Sequence, residues 1–393
     1  MSTKHEPDFD RVIDRRNCAF PDSVKWNRHA GSDVLPLWVA DMDFAAPPAV
    51  VDALRRRVDQ GVFGYTEPWP ALTRAVTGHL AQSYGWHVEA DWLVWLPGLV
   101  TGLNLACRAV GGEVLTATPV YPPFMSAPHH SGCSLLTVPL LLEGGRWGWD
   151  WAALAAAVTP QTRLLLLCHP HNPVGRAWDD DELERLAAFC RERDLVLCSD
   201  EIHCDLILDE AKRHRPIAML DAAMARRSIT LMAPSKTFNI PGLGCSFAVI
   251  PDPALRRAFV RAMAGIVPHV NVLGLAACEA ALTQCAAWHR TLLRVLRRNR
   301  DRVTQAIAAL PGVSMTPVEA TYLAWIDVRA LALTSPQRHF EAHGLCLSDG
   351  ADFGAAGWLR LNFGCPLPTL DEALRRFSLA VDAAGRVEQS PAR

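Results

Sequence analysis

The central part of the chain alternates short apolar runs with longer segments in which apolar residues recur every three or four positions. The short runs predict strands at 113–118, 163–168, 195–199, 228–232 and 245–250. The longer segments predict helices at 98–110, 179–193 and 253–265. The second of these helices begins with DDDEL, so negative residues lie at its positive end. Strands separated by helices of this length predict an α/β fold, a mostly parallel sheet with helices on both faces.

The pattern changes after about residue 285. A long helical pattern continues through 309, and strand-like stretches (TYLAWID, WLRLNF) then alternate with helices near 335–343 and at the end of the chain. This alternation of strands and helices predicts a smaller α+β domain. Because 393 residues exceed one ordinary core, we expect a large domain at 46–285 and a small domain made of 1–45 and 286–393.

Composition excludes several classes of protein. Hydrophobic residues make up 50% and charged residues 20% of the chain, which indicates a globular protein with a large interior. A net charge of -2 offers no basic surface for nucleic acid, and no apolar run reaches the roughly 18 residues of a membrane span. The 12 cysteines form no C-x-x-C pair or zinc pattern and lie in apolar runs. We therefore expect no metal, no nucleic acid, no membrane, and a cytoplasmic location.

Polar side chains follow three of the predicted strands. The second strand leads to Asn172, the third to Asp200, and the fourth to Ser235 and Lys236. Ligands of open parallel sheets bind beyond the carboxyl ends of the strands. We therefore expect an amide, a carboxylate and an amine at one edge of the sheet.

The lysine and the aspartate each have two interpretations. A desolvated amine at Lys236 would have a lowered pKa and suit a nucleophile, whereas a snorkelling surface lysine is the ordinary alternative. Asp200 follows the apolar run LVLC, so its carboxylate would need a cationic partner such as a pyridinium nitrogen. A helix cap or a buried salt bridge is the alternative for Asp200.

An anion site and an aromatic ring complete the set of candidate groups. Pro-Gly precedes the helix at 98–110, and the free N–H groups near Val100 and Thr101 could meet an anion, although many helices begin this way. Tyr121 supplies a ring, or else is a core tyrosine. Amine, carboxylate, amide, anion site and ring are together the parts needed to hold pyridoxal phosphate.

Resemblance to a known family is carried by four motifs in the order HPHNPVGRAW, SDEIHCDLIL, APSKTFNIPGLG and WLRLNFGCP. They resemble the fold-type I pyridoxal-phosphate enzymes of the class I/II aminotransferase group. Three further stretches, LPLWVADMDFAAPP, GVFGYTEPW and TYLAWID, are similar to the PatB/MalY branch of cysteine-sulfur β-lyases, which includes cystathionine β-lyase. The resemblance implies a lyase that cleaves L-cystathionine or related cysteine S-conjugates to a thiol, pyruvate and ammonia.

The resemblance also implies roles for the residues around the cofactor ring. Lys236 would be the catalytic residue and would bind the cofactor covalently. Asp200 would pair with the pyridine nitrogen, and Asn172 would donate to the phenolic oxygen, with a cis peptide before Pro173. Tyr121 would stack on the ring.

Other implied roles concern the phosphate and the substrate. Val100, Thr101 and Ser235 would meet the phosphate. Tyr65 would reach the phosphate and the substrate in a second subunit, which implies a homodimer with shared active sites; an ordinary interface tyrosine is the alternative. Arg360 would bind the substrate α-carboxylate in a fork geometry, with a surface salt bridge as the alternative.

Three positions depart from the aminotransferase pattern. Gly244 stands where many aminotransferases place a phosphate-binding arginine, and Ala233 stands where a serine is common. His203 stands where those enzymes usually have tyrosine, and is either a cofactor contact or a packed histidine. The glycine and the histidine agree with the lyase branch.

Two other functions remain open at this point. An aminotransferase shares the early steps of the reaction with a β-lyase, and the site residues alone barely separate the two. A pyridoxal-binding regulatory protein is the second alternative, since a relative in this branch also acts on a transcription factor. The sequence does not name the thiol half of the substrate.

Overall fold

The computed structural model describes residues 7–16, 20 and 22–387. The helices are α1 (Val24–Asn27), α2 (Pro48–Asp59), α3 (Pro70–Tyr84), α4 (Leu99–Val110), α5 (Pro123–His130), α6 (Trp151–Ala157), α7 (Asp180–Glu192), α8 (Ala222–Arg226), α9 (Pro253–Met263), α10 (Val272–Gln284), α11 (Ala286–Ala308), α12 (Pro336–Ala342) and α13 (Leu367–Val387). The strands are β1 (Leu35–Pro36), β2 (Leu93–Leu96), β3 (Glu113–Thr118), β4 (Ser134–Glu143), β5 (Arg146–Trp149), β6 (Thr162–Cys168), β7 (Val196–Asp200), β8 (Ser228–Met232), β9 (Ser246–Val249), β10 (Ser314–Met315), β11 (Leu323–Asp327), β12 (Leu345–Cys346), β13 (Ser348–Asp349) and β14 (Trp358–Asn362). Within these ranges, no helix is long and apolar enough to cross a bilayer.

An eight-stranded sheet forms the centre of the molecule, in the order β2-β9-β8-β7-β6-β3-β4-β5. The strands from β8 to β4 run parallel to one another, whereas β9 is antiparallel to both of its neighbours and β5 is antiparallel to β4. Helices cover both faces, so the central strands are almost entirely buried and consist mainly of apolar residues. The predicted α/β class is confirmed.

The strands and helices expected in this region agree with the observed ones to within two residues. The β4–β5 hairpin was not expected, although the sequence contains a signal for it. Its turn is Gly144-Gly145, and both glycines have positive φ, as a two-residue hairpin turn requires. The hairpin extends the parallel sheet beyond its last crossover.

A second, antiparallel sheet follows in the order β10-β11-β14-β13, and β1 pairs in parallel with β12. The two sheets share apolar cores: Trp325 and Trp358 stack 5.6 Å apart and pack in one cluster with buried side chains of the large sheet. The division into a large domain and a small domain stays a prediction. Residues 1–6, 17–19, 21 and 388–393 lie outside the described part of the chain.

Candidate active site

A cavity of about 750 Å³ lies at the carboxyl edge of the large sheet, where the second sheet packs against it. This volume is typical of cofactor and substrate sites. Eight of the ten residues predicted for the site line this cavity, namely Val100, Tyr121, Asn172, Asp200, His203, Ser235, Lys236 and Arg360. The expected convergence has a simple origin, because β6, β7 and β8 are neighbours in the sheet and their carboxyl ends open on the same side.

Lys236 lies at the floor of the cavity, partly accessible from it and otherwise surrounded by protein. Its amine donates to the backbone carbonyl of Ala40, which also accepts from the Tyr322 hydroxyl at 2.9 Å. Burial lowers the pKa of Lys236 to about 8, against an opposing effect of the Asp41 carboxylate. About one amine in ten is therefore neutral at pH 7, and so nucleophilic and basic, far more than for an ordinary lysine.

Asp200 is the last residue of β7 and is buried. One of its carboxylate oxygens accepts from the backbone N–H of Ile202 at 3.1 Å. Burial raises the pKa of Asp200 to about 7, although Ile202 and Lys236 oppose this effect. A carboxylate in this state gains stability from a nearby cation, as the pyridinium interpretation requires.

His203 is buried beside these groups and contacts the Tyr322 ring edge-on at 6.0 Å. Burial lowers its pKa to about 3, and the positive charges of Lys236 and Arg360 add to this effect. The imidazole is therefore neutral. Its Nδ1 atom is buried without a hydrogen-bond partner among the described residues, which leaves the choice between a cofactor contact and a packing role open.

Arg360 is a buried cation that forms no ion pair with the described residues. Its Nη1 donates to Asn172 Oδ1 at 2.9 Å, and its Nη2 donates to the Trp38 carbonyl at 2.8 Å. The Phe353 ring lies 4.6 Å from the guanidinium, and burial lowers the pKa of Arg360 to about 10. A buried, uncompensated guanidinium in a cavity calls for an anionic ligand, so the surface salt-bridge alternative does not fit.

Tyr121 and Asn172 are linked through the backbone, because the Tyr121 N–H donates to the Asn172 carbonyl at 3.0 Å. The peptide between Asn172 and Pro173 is cis, as expected. With Oδ1 of Asn172 occupied by Arg360, its Nδ2 donor is the group left for a ligand.

The opposite end of the cavity is the N-terminus of α4. Gly98 caps this helix without a side-chain hydrogen bond, and Val100 is exposed to the cavity. The first N–H groups of a helix have no partner within it, so they can bind an anion, and Ser235 lies at the same cavity. Thr101, which is half-buried, is not among the residues that line the cavity.

The structure gives a physical reason for glycine at 244. Gly244 has φ +55°, and a Cβ atom there would lie 3.1 Å from the carbonyl oxygen of Pro97. An arginine would therefore be strained at this position. Ala233 is buried in the apolar core, so neither residue supplies a side-chain donor to the anion site.

A segment that carries part of the cavity wall was missed as a functional element. Residues 38–44 are held by two asparagine side chains. Asn362, the last residue of β14, donates to two of their carbonyls. Asn239, which follows β8, accepts from one amide and donates to two carbonyls. Asn362 had a signal, since it lies two residues after Arg360 on one strand and so shares its face. Asn239 had none.

Tyr65 lies outside the cavity of its own chain and is fully exposed. Val62 and Phe63 beside it are also exposed apolar side chains. This placement agrees with a residue that acts in a second subunit, and the role of Tyr65 stays a prediction.

Pyridoxal phosphate fits the groups that the cavity provides. The desolvated amine of Lys236 suits its aldehyde, the Asp200 carboxylate suits its protonated ring nitrogen, and the start of α4 suits its phosphate. The unpaired Arg360 guanidinium remains for the carboxylate of an amino acid.

Comparison with known proteins agrees with this geometry. The chain is 37% identical to "Cystathionine beta-lyase PatB" of Bacillus subtilis (strain 168), over 91% of this chain and 96% of that protein. The crystal structure of OvoB matches with a TM-score of 0.92 and 46% identity, over 95% of this chain and 99% of that one. Cystalysin from Treponema denticola, whose structure contains a pyridoxal 5'-phosphate cofactor, matches with a TM-score of 0.91 and 32% identity, over 96% and 99%. Residues 32–377 match the family described as aminotransferase class I and II, and the chain belongs to this family.

Proposed function

We propose that this protein is a pyridoxal-phosphate-dependent carbon–sulfur β-lyase that cleaves L-cystathionine or related cysteine S-conjugates to a thiol, pyruvate and ammonia. The main support for the proposal is that Lys236, Asp200 and Arg360 line one cavity, and that Arg360 has no ion-pair partner among the described residues. The similarity to a relative named cystathionine beta-lyase supports elimination over transamination.

The cofactor would be held by the groups already described. Lys236 would bind it covalently, Asp200 would pair with the ring nitrogen, Asn172 would donate to the phenolic oxygen, and Tyr121 would stack on the ring. Val100, Thr101 and Ser235 are the proposed phosphate contacts, with Tyr65 from a partner subunit. When bound, the cofactor supplies an electron sink for the charge that develops at the substrate Cα.

The chain's own residues bind the substrate and move its proton. Arg360, a buried guanidinium without an ion pair among the described residues, would bind the α-carboxylate, so the amino acid would be fixed relative to Lys236. Once the substrate amine has taken the place of Lys236, the freed lysine amine would remove the Cα proton, a step for which its lowered pKa is suited at cellular pH. The thiolate on Cβ then leaves, and hydrolysis of the remaining three-carbon fragment gives pyruvate and ammonia.

We also propose a cytoplasmic homodimer with shared active sites. The exposed apolar side chains around Tyr65 support burial against a second copy. The described cysteines are all free thiols, which supports a reducing compartment.

The test is pyruvate release from L-cystathionine by the purified holoprotein, without any added keto acid. We expect pyruvate and thiol in equal amounts, and borohydride treatment should leave a pyridoxyl group on Lys236. A requirement for a keto acid acceptor would indicate an aminotransferase instead.

A further inference from the structure

The outer end of the same cavity carries two exposed arginines. Arg28 follows α1 and Arg338 lies in α12. The two elements adjoin, because His29 Nδ1 lies 3.7 Å from Glu341 Oε1 of α12. Within the described residues, neither Arg28 nor Arg338 forms a salt bridge. This outer end, which we call the mouth, therefore carries two guanidinium groups that have no ion-pair partner among the described residues.

Arg28 is coupled to the substrate end of the cavity through Trp38. Its guanidinium lies 4.7 Å from the centroid of the Trp38 ring, so the ring covers one face and leaves the N–H donors at the edge accessible. The carbonyl of Trp38 accepts from Arg360. A single residue, Trp38, therefore contacts both Arg28 and the arginine of the proposed α-carboxylate site.

Two carboxylates reach the same mouth from the other sheet. β13 pairs with β14 so that Ser348 lies opposite Arg360; Asp349 is the next residue of β13, and Asp352 lies in the turn that follows this strand. Asp349 Oδ1 accepts from a backbone N–H, whereas the exposed Asp352 side chain has no bond to the described residues. Charges of both signs thus line one opening without pairing with each other.

We propose that this mouth is a distal subsite for the sulfur-linked half of the substrate. Arg28 and Arg338 bind a carboxylate of that half, and Asp352 with Asp349 binds an ammonium group beside it. With the cofactor against Lys236 and α4, the sulfur-linked half extends toward the mouth, where a zwitterion matches the charges present. The inference rests on the proposed lyase function, and it predicts that the thiol product is itself an amino acid.

A matched series of substrates tests this subsite. L-cystathionine carries both groups on its sulfur-linked chain, S-(carboxypropyl)-L-cysteine lacks the ammonium, S-(aminopropyl)-L-cysteine lacks the carboxylate, and S-propyl-L-cysteine lacks both. We expect kcat/KM for pyruvate release to be highest for L-cystathionine and about tenfold lower for S-propyl-L-cysteine, since exposed ion pairs contribute modestly.

Variants assign the preference to particular residues. The double variant Arg28→Gln/Arg338→Gln should lower the ratio of kcat/KM for L-cystathionine to that for S-propyl-L-cysteine by about threefold, the share of the preference that comes from the carboxylate. Asp352→Asn should lower the ratio for L-cystathionine to S-(carboxypropyl)-L-cysteine by about threefold. Arg261→Gln, an exposed arginine on α9 outside the cavity, is the matched control and should leave both ratios unchanged.

The outcomes separate this inference from the proposed function. Equal use of L-cystathionine and S-propyl-L-cysteine, or a wild-type ratio in the double variant, would refute the subsite while the lyase activity stands. Absence of pyruvate from all four compounds would refute the lyase function and the subsite with it. The cofactor absorbance of each variant shows that the protein examined is folded and loaded.

Discussion

At the scale of single residues, the pKa of Lys236 connects burial to chemistry. An ordinary lysine is almost entirely protonated at pH 7, whereas a pKa of about 8 leaves about one amine in ten neutral. The main cause is removal of the ammonium from water. The Asp41 carboxylate opposes it, so this residue and the burial of the site set the reactivity of the amine together.

Reloading of the cofactor-free protein with pyridoxal phosphate should report this pKa directly. Only the neutral Lys236 amine attacks an aldehyde. We therefore expect the reloading rate to rise about tenfold per pH unit below pH 8, to reach half of its maximum near pH 8, and to level off above it. Asp41→Asn should move the midpoint to lower pH, because the carboxylate raises the pKa of Lys236. The measurement is stopped-flow absorbance; a rate that still rises above pH 9 would indicate an ordinary lysine.

At the scale of elements, the strands were predictable and the connections between distant loops were not. The sequence predicted β6, β7 and β8 because each is a continuous apolar run, and adjacency of parallel strands then brought Asn172 and Lys236 to one edge. Residues 38–44 are kept in position by hydrogen bonds from residues up to 323 positions away in the sequence. No local periodicity encodes such contacts, so they required the structure.

Asn239 offers a test of how that segment is held. Its side chain makes three hydrogen bonds to residues 38–44, and its backbone has φ +53°, a conformation that asparagine and glycine tolerate. Asn239→Gly removes the three hydrogen bonds without adding backbone strain, and should lower the free energy of unfolding by about 1–3 kcal/mol. Asn239→Ala adds backbone strain and should cost about 1 kcal/mol more.

Urea denaturation of both variants measures this difference, and kcat/KM for L-cystathionine should fall in parallel because residues 38–44 form part of the cavity wall. If Asn239→Gly matched the wild type in stability and activity, the segment would be held by other contacts. Equal stability of the two variants would mean that the positive φ carries no strain.

At the scale of the whole molecule, one chain leaves the proposed site incomplete. Neither Gly244 nor Ala233 supplies a side-chain donor to the anion site, and the donors that line the cavity there are the backbone N–H groups at the start of α4 and Ser235, since Thr101 does not line it. Tyr65 is the residue that the resemblance assigns to the partner's phosphate, and it is fully exposed in the single chain. A homodimer would supply the missing donor and bury the apolar residues around it.

Mixing two inactive variants should reveal shared sites. Lys236→Ala removes the amine from its own chain's site, whereas Tyr65→Ala removes a contact from the partner's site. In a mixed dimer, one site has both defects and the other has neither, so the mixture should regain activity. When subunits exchange at random in equal amounts, half of the dimers are mixed, and we expect about one quarter of the wild-type kcat for pyruvate release.

Lys236→Ala alone and Tyr65→Ala alone, measured after the same exchange treatment, set the baseline. No gain above that baseline, with exchange verified by mass spectrometry of differently labelled subunits, would place Tyr65 in its own chain's function or in none.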